Sequence, residues 1–236
     1  YEKILVKMKA ECARVGTMIP YSPKEGRYHD LDGMGGIHNW TNGFWPGMLW
    51  QMYEATGDEA YRTAAEGVEE RMDEILTDMK GVDHDAGFLF LLSAVADYRK
   101  TGNEASLHRG LIAANLLAGR FNPVGNFIRA WGDGLNMNSF FGDGDVSGWM
   151  IVDCMMNIPL LYWASEETKD PRFAHIALKH AKTAQRYVVR EDGSCNHIVG
   201  INPQTGEFSD NPGGQGFEKG SSWSRGQSWA VYGFAL

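Results

Sequence analysis

Three stretches of this chain share one local grammar, and that repetition restricts the fold more than any other feature. EATGDEAYRTAAEGVEERM (54–72), RKTGNEASLHRGLIAANLL (99–117) and EETKDPRFAHIALKHAKTA (166–184) each close a helix, pass through Thr-Gly-Asp, Thr-Gly-Asn or Thr-Lys-Asp, and open another. Gly57 and Gly102 suit a left-handed stop, where a Cβ would clash. Asp58, Asn103 and Asp170 suit the N-cap of the next helix, and Pro171 takes the favoured first position. Behind the caps, apolar residues recur at helical spacing. Tyr61, Ala64, Ala65, Val68, Met72 and Ile75 form one stripe; Phe173, Ala177, Ala181, Ala184 and Val188 form another. The segments 44–55, 86–98 and 148–164 are apolar nearly all round, as buried helices are.

The pattern predicts an all-α chain of helical hairpins, each with a buried inner and a half-exposed outer helix. Roughly eight helices are expected: 1–15, 44–55, 58–77, 86–100, 104–120, 147–166, 171–189 and 223–236. Short β-strands are expected in the loops at 126–131 and 195–202, with a turn at 203–206. No linker divides the chain, so residues 1–236 are read as one domain. Alternating inner and outer helices point to a toroid of helical pairs, with an open helical array as the rival. The chain stops within a helical pattern at AVYGFAL, so it is expected to be truncated at its C-terminus, with about eight of twelve helices of a six-pair ring.

Composition removes several function classes. A net charge of −8 argues against nucleic acid as a partner, because phosphate backbones need a basic surface. Cys12, Cys154 and Cys195 lack metal-ligand spacing and read as reduced thiols. Asp153 interrupts the best apolar run before it reaches the roughly 18 residues of a membrane span. No signal peptide is recognisable, so a cytoplasmic location is expected, with the periplasm as the alternative. Twenty-nine glycines and eight tryptophans stand out, many of them together in GMGGIHNWTNGFWPG (33–47) and NPGGQGFEKGSSWSRGQSW (211–229). Loops of this kind suit a sugar site, or tight packing on helices.

Asp153 is the first candidate for chemistry. It sits in GWMIVDCMMNIPLLYW (148–163), expected in the second turn of an inner helix capped by Asp145 or Ser147. Asn157, four residues on, shares its face and would hydrogen-bond it. Either Asp153 is a satisfied structural residue, or it is a general acid kept protonated by burial. In GVDHDAGFLFLL (81–92), Asp83, His84 and Asp85 stand where a polar loop meets another inner helix. Asp85 is either an N-cap or the second carboxylate of a glycosidase-like pair. Gln215, Arg225 and Trp229 lie in or after a loop too glycine-rich to be helical before about Trp223. Arg225 is a fork of donors suited to a carboxylate, or one side of a surface ion pair. His197, Trp40, Trp45 and Trp131 would line the same mouth or simply pack. Metal binding has little support, since Asp83, His84 and Asp85 are expected to point in different directions. No phosphate loop, dinucleotide fingerprint or nucleophile elbow is present.

Four motifs in one order, WTNGFWPG, DHDAGF, GWMIVDCMMNIPLLYWA and SSWSRGQSWAVYGFAL, resemble the unsaturated glucuronyl hydrolases of glycoside hydrolase family 88. The resemblance implies an (α/α)6 barrel and a substrate with a 4,5-unsaturated glucuronic acid at its non-reducing end. It implies hydration of the C4=C5 vinyl ether rather than attack at C1. Asp153 would be the general acid and base, and Asp85 would assist it. Gln215, Arg225 and Trp229 would bind the unsaturated sugar, with His84, Trp131 and His197 in the pocket and Trp40 stacking at its edge. No cofactor or metal is implied, the partner is an unsaturated uronic-acid oligosaccharide, and the oligomeric state is left open. Rival readings are an unsaturated rhamnogalacturonyl hydrolase with the same chemistry, a non-catalytic glycan-binding helical domain, and ordinary inverting glycosidase chemistry.

Overall fold

Each repeated turn is closed by its threonine as well as by its glycine and cap. Thr56, Thr101 and Thr168 donate their hydroxyls back to the carbonyls of Met52, Asp97 and Ala164 at 2.7, 3.0 and 2.7 Å. The same oxygens accept the N–H groups of Asp58, Asn103 and Asp170 at 3.1–3.2 Å. The residue between turns left-handed: φ is 68° at Gly57, 74° at Gly102 and 59° at Lys169. The caps then accept from Ala60, Ala105 and Arg172 at 3.0, 3.1 and 2.9 Å. Three consecutive residues link the two helix ends, and each such cap contributes about 1 kcal/mol.

This computed structural model describes residues 1–77, 81–131 and 145–236. They form two compact units, Tyr1–Met79 with Phe88–Ala113, and Lys80–Gly87 with Ala114–Leu236. The fold is mostly helical. Among the described residues no helix is long and apolar enough to cross a membrane.

In the first unit, helices Glu2–Val15, Phe44–Thr56, Glu59–Thr77 and Ala94–Thr101 pack around Leu49, Trp50, Val68, Met72 and Ile75, all nearly inaccessible. The stripe predicted for 58–77 is buried throughout. The helix expected over 86–100 is instead two, Ala86–Phe90 and Ala94–Thr101. Between them Ser93 turns its hydroxyl onto the carbonyl of Leu89 at 2.6 Å, the competition with backbone bonding that disfavours serine in helix interiors.

A carboxylate pair lies in this core. Glu69 accepts from the Trp50 indole at 2.7 Å and meets the Ser106 hydroxyl at 3.1 Å. That hydroxyl also lies 2.5 Å from Asp97, which accepts further from Thr101 and Asn103 at 2.7 Å each. One hydroxyl hydrogen cannot serve two carboxylates. The network closes if Glu69 carries a proton and donates to Ser106, which donates to Asp97. Burial pushes Glu69 up to about 8, against the pull of the Trp50 bond. The unfolded carboxyl ionises near its ordinary value of about 4.3. Between those two pH values only the folded state holds the proton, so stability falls as pH rises from about 4.5 towards about 8. Glu69→Gln is therefore expected to be more stable than the wild type by about 3–4 kcal/mol at pH 7, with the gap closing by pH 4.5. Urea melts of both proteins at the two pH values measure this; parallel curves would remove the buried proton.

In the second unit, helices Pro159–Thr168, Pro171–Tyr187 and Ser224–Ala235 accompany two small sheets. β1 (Phe121–Asn122) pairs antiparallel with β2 (Phe127–Ile128). β3 (Trp149–Ile151), β4 (Ile198–Ile201) and β5 (Phe208–Gly213) form an antiparallel sheet in that order. The strands expected at 126–131 and 195–202 are present as β2 and β4. The helix expected over 147–166 is not. Its first third is β3, then comes a 3-10 turn, Val152–Met156, and the helix begins only at Pro159. A proline in a helix interior removes a hydrogen bond and clashes with the preceding turn, whereas at the first position it costs nothing.

Candidate functional site

The register of β3 on β4 builds the centre of the site. Ile151 stands opposite Ile198, and Val152 donates its N–H to the carbonyl of His197 at 3.0 Å. The chain then tightens into the 3-10 turn, which sets Asp153 beside His197. His197 Nε2 lies 3.5 Å from Asp153 Oδ1, with 3% and 15% of the two side chains exposed. His197 Nδ1 accepts the Gln215 N–H at 2.8 Å, so the ring hydrogen sits on Nε2 and faces the carboxylate. At that separation the contact is longer than a good hydrogen bond, and both buried atoms lack a protein partner. A donor and an acceptor are thus held side by side for a third polar group. The expectation that Asn157 would bond the Asp153 carboxylate is corrected: its amide donates to the Asp153 backbone carbonyl at 3.0 Å and to Asp85 Oδ1 at 3.2 Å.

The loop carrying Asp85 is fastened from beneath. Asp83 caps it by accepting the Asp85 N–H at 2.8 Å. His84 donates both its backbone N–H and Nδ1–H to the carbonyl of Ala130, at 3.2 and 2.7 Å. Arg120 spreads its guanidinium over the carbonyls of Val82, Arg129 and Ala130 at 3.0–3.1 Å. With Nδ1 committed to a carbonyl, Nε2 of His84 faces Asp85 Oδ1 at 3.1 Å. Burial alone would push His84 down; the carboxylates of Asp85 and Asp83 reverse this and hold it up near 9. Burial pushes Asp85 up to about 6 even though His84 pulls it down. The pair is therefore imidazolium and carboxylate at neutral pH. The charge of Asp153 acts on both members, so the two carboxylates share one electrostatic environment.

Asp83, His84 and Asp85 bring ligand atoms within 4.8 Å of one another, so the expectation that they point apart is corrected. Pairing of the His84 proton with the carboxylates accounts for the convergence. The three cysteines are free and buried, and burial raises their thiols, which makes them poor nucleophiles.

The remaining residues singled out in the sequence are placed as follows. Trp131 is buried and meets His84 edge-on at 5.6 Å and Trp149 at 6.0 Å, in a cluster with Ala130, Ile151 and Ile198. Gln215 accepts from Arg225 Nη2 at 2.9 Å. Arg225 also lies over the Trp223 ring at 4.2 Å, and Trp223 packs on His197 at 4.6 Å. Trp229 is one turn beyond Arg225 on the helix Ser224–Ala235, which starts where expected. That helix lies close on the 3-10 turn: a Cβ at Gly226 would meet Val152 Cγ1 at 3.0 Å, and one at Gly233 would meet Met155 at 2.6 Å. Glycines seven residues apart on one face are the sequence signal for that approach, and it was missed, as were Trp223 and Arg120. Trp40 and Trp45 belong to the first unit. Trp40 meets Phe44 edge-on at 5.7 Å and Phe88 at 5.1 Å. Trp45 is buried and donates to the Gly16 carbonyl at 3.0 Å, so its reading as packing holds.

A mostly helical fold here sets two shielded carboxylates beside two imidazoles, groups whose chemistry includes proton exchange. The chain belongs to Glycosyl Hydrolase Family 88, whose model matches residues 14–236. The unsaturated glucuronyl hydrolase of Bacillus sp. (strain GL1) is 40% identical over 199 residues, 84% of this chain and 51% of that protein. The unsaturated chondroitin disaccharide hydrolase of Streptococcus pyogenes serotype M1 is 34% identical over 214 residues, 90% of this chain and 51% of that one. The crystal structure of unsaturated glucuronyl hydrolase from Bacillus sp. GL1, responsible for the degradation of glycosaminoglycan, superimposes with a TM-score of 0.81 at 35% identity, covering 98% of this chain and 58% of that structure. The chain spans about half the length of the curated relatives it matches.

Proposed function

We propose that this chain is part of the (α/α)6 barrel catalytic domain of an unsaturated glucuronyl hydrolase. The enzyme removes a 4,5-unsaturated glucuronic acid from the non-reducing end of lyase-generated oligosaccharides. The observation that carries the reading is the pair of shielded, unbonded atoms, Asp153 Oδ1 and His197 Nε2, 3.5 Å apart beside the Asp85–His84 pair, in a chain of this family.

Asp153 in its acid form delivers a proton to C4 of the sugar. The π electrons of the C4=C5 bond form the new C4–H bond, and the positive charge at C5 is shared with the ring oxygen. Asp153, now a carboxylate, takes a proton from water as its oxygen bonds to C5. The product is a hemiketal that opens and releases the remaining sugar, so the glycosidic bond is lost without attack at C1. Exchange of a single proton in both directions is the work of one positioned acid–base residue. His197 Nε2–H stands beside the Asp153 carboxyl, open to the same substrate or water, and Asn157 fixes the backbone beneath it. Asp85 accepts from substrate hydroxyls, its position held by His84. Arg225, seated on Trp223, offers its fork to the uronate carboxylate. Gln215, Trp131 and Trp229 surround the sugar, and Trp40 is assigned a stacking role on its motif alone.

Relatives named for chondroitin disaccharides favour a glycosaminoglycan fragment over a rhamnogalacturonan one. Incubation of the intact protein with unsaturated chondroitin disaccharide is expected to abolish the ultraviolet absorbance of the conjugated double bond and release free amino sugar. Binding of the disaccharide with undiminished absorbance would replace the enzyme by a glycan-binding domain. Loss of the sugar with the double bond retained would indicate ordinary glycosidase chemistry.

A further inference from the structure

Lys179, Lys182 and Arg186 share one face of the helix Pro171–Tyr187, three and four residues apart. With Thr183 they form one wall of a concavity of about 410 Å³, faced by the tip of the β1–β2 hairpin and by Gly206. Thr183 fixes the two walls together by donating to the carbonyl of Asn126 at 2.8 Å. Among the described residues none of the three cations is ion-paired; Arg186 instead lies over the Tyr187 ring at 5.0 Å. No aspartate or glutamate is among the residues that line the concavity. In a chain with 30 acidic and 22 basic residues, three neighbouring cations without an acid are a local reversal of the global charge. Tyr187 closes one end of the concavity, its ring stacked on Phe208 at 5.7 Å and 22°.

The concavity continues in kind on the other side of the same hairpin. There a second one, of about 370 Å³, is lined by Arg120, Arg129, Asn122 and Ser147. Pro203 and Gly206, at the two ends of one turn, contribute one residue to each concavity, and Asn122 donates to the Pro203 carbonyl at 2.9 Å. Arg120 on that flank is engaged by three carbonyls, so the row of Lys179, Lys182 and Arg186 is what would meet an extended anion.

We propose that this helix face is a second, non-catalytic binding site for acidic oligosaccharide chains, with Lys179, Lys182 and Arg186 taking successive carboxylate or sulfate groups. The occupant's identity rests on the functional reading above. From Lys179 to Arg186 the helix rises by about 10 Å, of the order of one disaccharide repeat. Tyr187 and Phe208 offer an apolar ring surface for a pyranose face. A nucleic acid would present phosphates far beyond three cations to a molecule of net charge −8, so field repulsion disfavours it. The site would hold the polymer from which end sugars are removed, raising their concentration at the catalytic centre.

The test uses a saturated chondroitin sulfate hexasaccharide, which has no C4=C5 bond, titrated calorimetrically into the intact protein. The wild type is expected to bind it about ten-fold more tightly than a K179S/K182S/R186S variant, with the difference shrinking at high salt. Turnover of the unsaturated disaccharide, too short to engage both sites, stays within about two-fold. A K179R/K182R variant, keeping the charge, binds as the wild type does. Equal affinity in wild type and triple variant, no binding in the wild type, or equal binding of a single-stranded oligonucleotide of matched charge would each overturn the site. If the triple variant loses the hexasaccharide while the wild type fails to turn over unsaturated disaccharide, the site stands and the catalytic reading falls; the converse result separates them the other way.

Discussion

Asp153→Asn is expected to reduce turnover of unsaturated chondroitin disaccharide by about three orders of magnitude, within the range that general acid–base groups contribute. The amide is nearly isosteric and cannot deliver a proton to C4 or take one from water. Folding is expected to survive. The Asp153 carboxylate makes no protein hydrogen bond at Oδ1, and the bond that anchors the turn runs from Asn157 to the Asp153 backbone carbonyl. The melting temperature should move by no more than a degree or two, and the disaccharide should bind the variant with near wild-type affinity. Calorimetric titration together with a progress curve at the conjugated double bond reads both. Turnover within about ten-fold of the wild type would end the assignment of Asp153 as acid and base.

What the sequence made legible follows the range of the interactions involved. The three turns were readable because threonine, glycine or its substitute, and cap lie within four residues, and each bond they make is local. Lys169 shows the limit of that grammar: it takes a left-handed φ of 59° without being glycine, because the flanking Thr168 and Asp170 bonds hold it there. The run 148–163 was misread for the opposite reason. A continuous apolar stretch looks the same whether it is a buried helix or a buried strand followed by a turn, and periodicity cannot separate them. The choice is made by β4, nearly fifty residues away, which offers Trp149–Ile151 a ladder. Pro159 carried the missing clue, since it marks the first turn of the helix and not its interior.

The site divides in the same way. Asp85 and Asp153 were visible as carboxylates in apolar company, and the order of the motifs tied them to one chemistry. Their neighbours were not visible. His197 reaches Asp153 only through the β3–β4 register, and Asn157 chooses Asp85 over its own helical neighbour because the expected helix is a 3-10 turn. Arg120 was unreadable for a further reason. Its three bonds to the carbonyls of Val82, Arg129 and Ala130 fasten the Asp85 loop, and backbone carbonyls carry no sequence signature.

Asp85→Asn carries the second large expected effect, and its signature is a pH profile. Burial lifts Asp85 to about 6, and the carboxylates of Asp85 and Asp83 lift His84 to about 9, so between those values the pair is charged and paired. As pH falls through about 6, Asp85 takes a proton, His84 loses its counter-charge, and the carboxylate that accepts from the sugar hydroxyls is gone. Wild-type kcat/KM is therefore expected to fall roughly ten-fold per pH unit below about 6. The variant has no proton to gain at that position. Its kcat/KM should sit about 100-fold lower at neutral pH, and the acidic limb should disappear or move well below its wild-type position. A purely structural role would predict a different outcome: lower activity at every pH with the limb unmoved, and a lower melting temperature. The Asn157 amide, which donates to Asp85 Oδ1 in the wild type, can donate equally to the carbonyl oxygen of an amide at that position. The loop then keeps its contact, and the melting temperature is expected to hold. An acidic limb unchanged in the variant would mean that another group carries it, and Asp85 would then be a positioning residue for His84, with no contact to substrate.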